Sequence, residues 1–189
     1  MKSLWINEKI KYDGEQLHSL YAYLNHRVLG DSIISWVGAC DVTFDHMVDG
    51  EDLLEKAQIK ADKMLHFIIE KFDIKLFSGV CLQRQLGNIF ISYIRKNSPV
   101  KDISSKLIRC GDDIYFNDKK FNISIATMSP VSCLIHFAVN IDGKNAPVPT
   151  LSLQELKLEP KKTANDIMDI FTAEIAHIIK ATQKVKWVK

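Results

Sequence analysis

The spacing of hydrophobic positions changes along the chain. From Gln16 onward, Leu17, Leu20, Tyr21, Leu24 and Val28 recur every three or four residues, which predicts a helix ended by Gly30. Before it, "LWINEKIKY" reads as a small hairpin turning near Asn7-Glu8. "SIISWVGACDVTF" is rich in β-branched and aromatic residues and predicts an extended segment broken near Gly38. "GEDLLEKAQ" and "DKMLHFIIEKF" read as helices, the second turning Met64, Leu65, Ile68 and Phe72 inward. Val80, Leu82, Leu86, Ile89, Phe90, Tyr93 and Ile94 mark a further helix that ends before Ser98-Pro99.

Beyond that point the period becomes two. "KLIRC", "DIYF", "KKFNISIAT" and "SCLIHFAVNID" predict four strands of an antiparallel meander, with turns at Gly111-Asp112, Asn117-Asp118 and Ser129-Pro130. "SLQE" at 152–155 has capping-box spacing and opens a short helix. Pro160 suits the first turn of a long amphipathic helix bearing Ile167, Met168, Phe171, Ile175, Ile178 and Ile179. "KVKWV" then reads as a closing strand. Helices and mostly antiparallel strands are segregated along the chain, so the expected class is α+β, a mostly antiparallel sheet with packed helices. No repeat or Gly/Pro-rich linker divides residues 1–189, which are read as a single domain.

Composition narrows the partners. Of 189 residues, 47% are hydrophobic and 25% charged, and the net charge is +2, too balanced for nucleic-acid binding through a large positive field. Lys161-Lys162 and the lysines from Lys184 to Lys189 read as solvated faces. Cys40, Cys81, Cys110 and Cys133 form no C-x-x-C pair and are expected as buried free thiols of a reducing compartment. The N-terminus lacks the apolar core of a signal peptide, and no apolar run approaches the roughly 20 residues that span a bilayer. A soluble cytoplasmic protein, without membrane or nucleic-acid partners, is expected.

The candidate chemistry centres on "KKFNISIATMSPVSCLIHFAVNID". In strict alternation Phe121, Ile123 and Ile125 point to the core with Cys133, Ile135, Phe137, Val139 and Ile141. The other face gathers Lys120, Asn122, Ser124 and Ala126 against Leu134, His136, Ala138 and Asn140. Small residues beside a few hydrogen-bonding groups let a ligand lie close to a sheet. The same face could equally be covered by a helix, with His136 and Asn140 satisfied internally. Asp41, Asp45, His46, Asp49, Glu51 and Asp52 cluster in sequence, but match no metal-ligand signature and suit a helix N-terminus. His66 and Glu70 stand four apart, as an acid/base pair on one helix face or as a structural histidine. Arg84 is a candidate anion donor or a surface arginine, and His18 reads as structural. Neither a P-loop nor G-x-G-x-x-G is present, and no nucleophile sits in a G-x-S-x-G setting.

The same hairpin resembles, without a gap, the lysine-bearing hairpin of lipoyl(octanoyl) transferases, in its Lys-Lys start, its Ser before the turn and its Phe-Ala-Val-Asn-Ile end. Those belong to the lipoate and biotin protein ligase superfamily, which shares a core with class II aminoacyl-tRNA synthetases. "GACDVTFDH" resembles the strand-loop lining their acyl pocket, and "VPTLSLQEL" the segment after their Val-Pro element. The whole chain also resembles a family of archaeal and bacterial proteins named as a domain of unknown function. The resemblance implies a ligase-like core and a small-molecule ligand, a carboxylic acid or acyl group. It places Lys120 on the lysine that contacts the activated acyl group, as the catalytic charge. Asn140 falls on the strand-end asparagine, and Val42, Thr43 and Phe44 on the pocket loop, where Asp45 replaces a histidine. Asn122, Ser124, His136, Asn140, Thr43, Asp45, His46, Arg84 and Thr150 are the substrate-binding candidates, and no metal ligand is assigned. The transferase cysteine corresponds to Thr150, its His-Gly pair to Ile135-His136, and a glycine of its lysine strand to Ile125. Three expectations follow: a ligase- or transferase-like enzyme that activates or transfers a carboxylic acid or acyl group, using ATP and Mg²⁺ if it is ligase-like, a non-catalytic protein that keeps the pocket, or a structural protein without one.

Overall fold

The computed structural model describes residues 1–188. Its strands are β1 (Lys2–Trp5), β2 (Ser32–Val42), β3 (Ile59–Phe72), β4 (Ile108–Cys110), β5 (Asp113–Phe116), β6 (Lys119–Lys120), β7 (Asn122–Met128) and β8 (Ser132–Asn140). Its helices are α1 (Tyr21–His26), α2 (Gly50–Glu55), α3 (Leu76–Asn97), α4 (Lys101–Ser104) and α5 (Pro160–Gln183). A five-stranded sheet runs β1-β2-β3-β8-β7, and a small sheet runs β4-β5-β6. Among the strands of the described residues, β1–β2 pair in parallel and the other pairs are antiparallel.

One face of the large sheet presents Ile33, Leu65, Phe67, Ile69, Ile135, Phe137 and Val139 to α3 and α5, and all are buried. The amphipathic stripes of the two helices close this core, through Leu86, Phe90 and Ile94 on α3 and Ile167, Phe171 and Ile175 on α5. Phe90 lies between Phe137, stacked at 5.1 Å, and Phe67, edge-on at 5.5 Å. The opposite face carries Ile34, Trp36, Met64, Ile68 and Ala138, packed with Ile6, Tyr12, Tyr21 and Ala22.

Several elements differ from the sequence expectation. "DKMLHFIIEKF" is not a helix but most of β3. This central strand is covered on both faces, so its apolar residues run on without the alternation that marks a half-buried strand. "LWINEKIKY" does not fold back. After β1 the chain continues beside β2, with Ile6 N–H donating to Ser35 O at 2.9 Å and Tyr12 N–H to Ala39 O at 2.8 Å. The first helix shrinks to α1 because Leu20 is left-handed, at φ 65°, and the helix cannot pass through it. Arg27, also left-handed, ends α1 ahead of Gly30.

The meander is split. Phe121 leaves the ladder between β6 and β7: its N–H donates to Ile114 O at 2.8 Å and its carbonyl accepts from Asn140 N–H at 3.1 Å. The capping box forms, with Ser152 Oγ accepting from Glu155 N–H and Glu155 Oε2 from Ser152 N–H, but opens turns rather than a helix. Residues 184–188 form no strand, and Val185 and Trp187 are exposed. Lys189 lies outside the described residues. Cys40 and Cys133 are buried free thiols as expected, whereas Cys81 and Cys110 are exposed. Among the described residues no helix is long and apolar enough to cross a membrane.

Candidate functional site

The face of the sheet away from α3 and α5 is only partly covered. The 6–12 segment crosses one part, and the 43–58 loop stands over another. Between them and β7–β8 lies a cleft of about 370 Å³, within the range of small-molecule sites.

Its floor comes from β8, β3 and β7. Ile125 lies opposite His136 and Ile123 opposite Ala138, so both isoleucines share the cleft face with His136. The strict alternation read from the sequence put them in the core and Asn122 and Ser124 in their place. The structure corrects this: Phe121, inserted between β6 and β7, shifts the phase by one residue. Asn122 instead receives Ile114 N–H on Oδ1 at 2.7 Å and donates to Asp112 O at 3.0 Å. Ser124 bonds Gln83 and Asp112 at 2.8 and 3.2 Å. Since β7 is an edge strand, the cleft wraps round it and still touches both. Their polar groups are largely committed within the protein.

Lys120 forms one wall. Its Nζ lies 2.8 Å from Asp113 Oδ2. Burial acts to lower its pKa, but the Asp113 carboxylate more than offsets this and holds the ammonium above its ordinary value. The group is therefore a standing positive charge rather than a base. Lys120 also pairs with Thr150 through the backbone: Lys120 N–H donates to Pro149 O and Leu151 N–H to Lys120 O. The Thr150 hydroxyl meets Gly143 O at 3.4 Å. Asn140 Nδ2 donates to the carbonyls of Lys120 and Phe121 at 3.2 and 3.1 Å, which ties β8 to the lysine strand. Lys120, Asn140, His136, Thr150 and His46 are thus brought to one cleft. Asp52, on the facing loop, has its carboxyl pushed up by burial and by Asp49, against the pull of Lys120.

Behind the floor lies a stack of rings. His136 Nε2 meets His66 Nδ1 at 3.1 Å, and His66 Nε2 meets Gly38 O at 3.3 Å. Tyr12 stacks on His136 with centroids 3.6 Å apart, and Trp36 on His66 at 5.3 Å. Burial pushes the His66 imidazole down to about 4, partly offset by its backbone acceptors. Burial and then His66 push His136 well below its ordinary value. Both rings are neutral near pH 7. Gly38 is the break that makes this possible: a Cβ there would lie 1.8 Å from Ile10 O, and the strand register shifts between Gly38 and Cys40.

The remaining candidates lie elsewhere. Thr43 and Asp45 are exposed beside the cleft rather than lining it, and Arg84 is exposed on α3, outside the cleft lining. Of the acidic cluster, Asp41 pairs with Lys11 at 2.8 Å and Asp49 caps α2. Glu70 does not pair with His66. It accepts from Leu20 N–H through both oxygens and from Ser132 Oγ. The sequence reading did not single out Tyr12, Asp113 or the His66–His136 pair as cleft chemistry. Asp112 read only as a turn residue and Asp113 only as the start of the strand "DIYF", and pairing of the two histidines required β3 to be a strand.

A mostly antiparallel sheet, backed by two long helices and carrying a cleft on its other face, places the protein among α+β folds with a biotin/lipoate ligase-like core. The structure is similar to biotin protein ligase from Aquifex aeolicus in complex with biotin and ATP, with TM-score 0.54 and 11% identity over 91% of this chain and 69% of that one. It is also similar to Ta0514, a putative lipoate protein ligase from T. acidophilum with bound lipoic acid, with TM-score 0.54 and 14% identity over 93% and 86% of the two chains. At these identities the likeness shows the fold alone. The chain belongs to the family described as Domain of unknown function (DUF366), which matches residues 1–186. A protein of unknown function from Pyrococcus horikoshi has 35% identity and TM-score 0.90, over 100% of both chains. Uncharacterized protein MJ0805 from Methanocaldococcus jannaschii is 28% identical over 97% of this chain and 84% of that protein.

Proposed function

We propose that the protein handles a carboxylic acid or acyl group in this cleft, as a ligase- or transferase-like enzyme. The carrying observation is Lys120, a permanently charged amine on the cleft wall, beside Asn140 and Thr150. The ligase-like core supports the reading, since solved proteins of that fold are described with biotin, ATP or lipoic acid bound. In the ligase form of the reaction an acid oxygen attacks the α-phosphorus of ATP. The bond from that phosphorus to the bridging oxygen breaks, and pyrophosphate leaves as the acyl-adenylate forms. Lys120 faces the negative charge that gathers on the carboxyl and phosphate oxygens. Thr150 carries no thiol, so this route, which needs no enzyme nucleophile, suits the cleft better than transfer through a thioester.

The test is pyrophosphate release from ATP and Mg²⁺ with a panel of biotin, lipoate, octanoate and related acids. Lys120→Ala is expected to lower kcat about 10²–10³-fold. Unchanged turnover in that variant removes the assignment. The ion pair to Asp113 favours a second reading, a binding protein that holds its acid without reacting it, because Lys120 already has a counter-ion. That reading predicts return of the bound acid unaltered, and a chemically changed ligand refutes it.

A further inference from the structure

We propose that the cleft floor selects an acid whose far end carries a neutral N–H or O–H donor, an amide, ureido or hydroxyl head, over one ending in a bare aliphatic chain. This rests on the reading above that the cleft takes a carboxylic acid.

The direction of the buried histidine hydrogen bonds leads to this inference. A carbonyl oxygen only accepts, so His66 must carry its proton on Nε2, facing Gly38 O. A neutral His66 then has a lone pair on Nδ1. The hydrogen bond of 3.1 Å to His136 therefore runs from His136 Nε2–H to His66 Nδ1. This leaves His136 Nδ1 as an unprotonated acceptor. His136 is 2% exposed. Its Nδ1 has no hydrogen-bond partner among the described residues, yet is not one of the polar atoms that burial seals off unpartnered. His136 itself lines the cleft, so this acceptor belongs to a cleft residue. Tyr12 stacked on the ring holds it in place.

Asn140 repeats the pattern. Both its donor contacts are backbone carbonyls, which turns its Oδ1 into the acceptor left over. His136 and Asn140 stand four apart on one face of β8, about 13 Å along the strand. Asn140 adjoins Lys120, where the carboxyl end belongs, and His136 faces the other end. A fixed, nearly dry acceptor loses its hydrogen bond when an aliphatic tail covers it, and such sites discriminate strongly against ligands that lack the donor.

The experiment is titration calorimetry on the full-length protein with octanoate, suberic acid monoamide and suberic acid monomethyl ester. All three carry an eight-carbon acid chain and end in an aliphatic group, an amide that donates, and an ester that only accepts. The monoamide is expected to bind at least about tenfold tighter than the other two. Equal binding of all three, or tighter binding of octanoate or the ester, overturns this proposal and leaves the acid reading standing. Binding of none removes both. Nitrogen-15 spectra of the imidazoles test the tautomer without any ligand: a proton on His136 Nδ1 at neutral pH overturns the proposal. His136→Phe, if folded by its circular dichroism, is expected to lose the monoamide's advantage over octanoate; a retained preference overturns it.

Discussion

Lys120 Nζ and Asp113 Oδ2 lie 2.8 Å apart on facing strands of the small sheet, and both line the cleft. Any anion that docks on Lys120 competes with that carboxylate. Asp113→Asn removes the competitor, while Tyr115 and Asp112 still act against burial to favour the charged ammonium. It is expected to tighten binding of a carboxylate ligand by up to about fivefold, whereas Lys120→Ala weakens it. Titration calorimetry on both variants checks this, and weaker binding in Asp113→Asn contradicts it.

Glu70 acts as a structural clasp. Its two oxygens accept Leu20 N–H at 2.9 and 3.1 Å, and Oε1 also accepts Ser132 Oγ–H at 2.7 Å. Leu20 is the left-handed residue that starts α1, so the carboxylate fixes the entry of that helix. Glu70→Ala leaves Leu20 N–H unpaired and the Ser132 hydroxyl with only Ser129 Oγ, and is expected to cost about 3 kcal/mol. Calorimetric melting should show a fall of about 6–12 °C; a fall of under about 2 °C means that the clasp contributes little.

Acid should loosen the fold before most carboxylates titrate. The unfolded imidazole of His66 takes up a proton near pH 6.5, but the folded one only at about 4. The unfolded chain thus binds more protons between those values. Stability present above about pH 6.5 is lost as pH falls towards 4, by about 3 kcal/mol from His66, and His136 acts in the same direction. Glu155 and Asp166, whose carboxyls are held below their ordinary values, act further down. Urea midpoints between pH 7 and pH 4.5 measure the loss, and a constant midpoint over that range contradicts it.

Gly38 is tested by adding a single methyl group. Ile10 O occupies the space where its Cβ would be, 1.8 Å away, and also accepts Trp36 Nε1–H at 2.8 Å. Gly38→Ala must push the 6–12 segment off β2 and disturb the carbonyl that orients His66. A loss of about 2–3 kcal/mol is expected, with broadened His66 and His136 imidazole signals. A variant as stable as the parent would show that the segment yields freely.

The legible parts of the fold were those with local signals. α3 and α5 were marked by their stripes, β7 and β8 by period two, and the 152–155 capping box by its spacing. β3 was missed because a strand buried on both faces has no alternation to read. The first helix was overextended because the constraint on Leu20 comes from Glu70, fifty residues away. Lys120, His136 and Asn140 share one face in the hairpin's alternation, Thr150 and His46 entered through the resemblance, and the structure places all five around one cleft. Tyr12 was not legible, since its place depends on a segment running parallel to β2 where the sequence suggested a turn back.

Phe121, set between β6 and β7, decides which side chains of β7 look into the cleft. With it, the edge strand offers two isoleucines; without it, the same strand would offer an asparagine and a serine. A change of one residue in length at this point would invert the chemical character of that wall while leaving every other strand in place. An insertion or deletion at the β6–β7 junction would thus exchange the side chains on that wall without a substitution anywhere in β7.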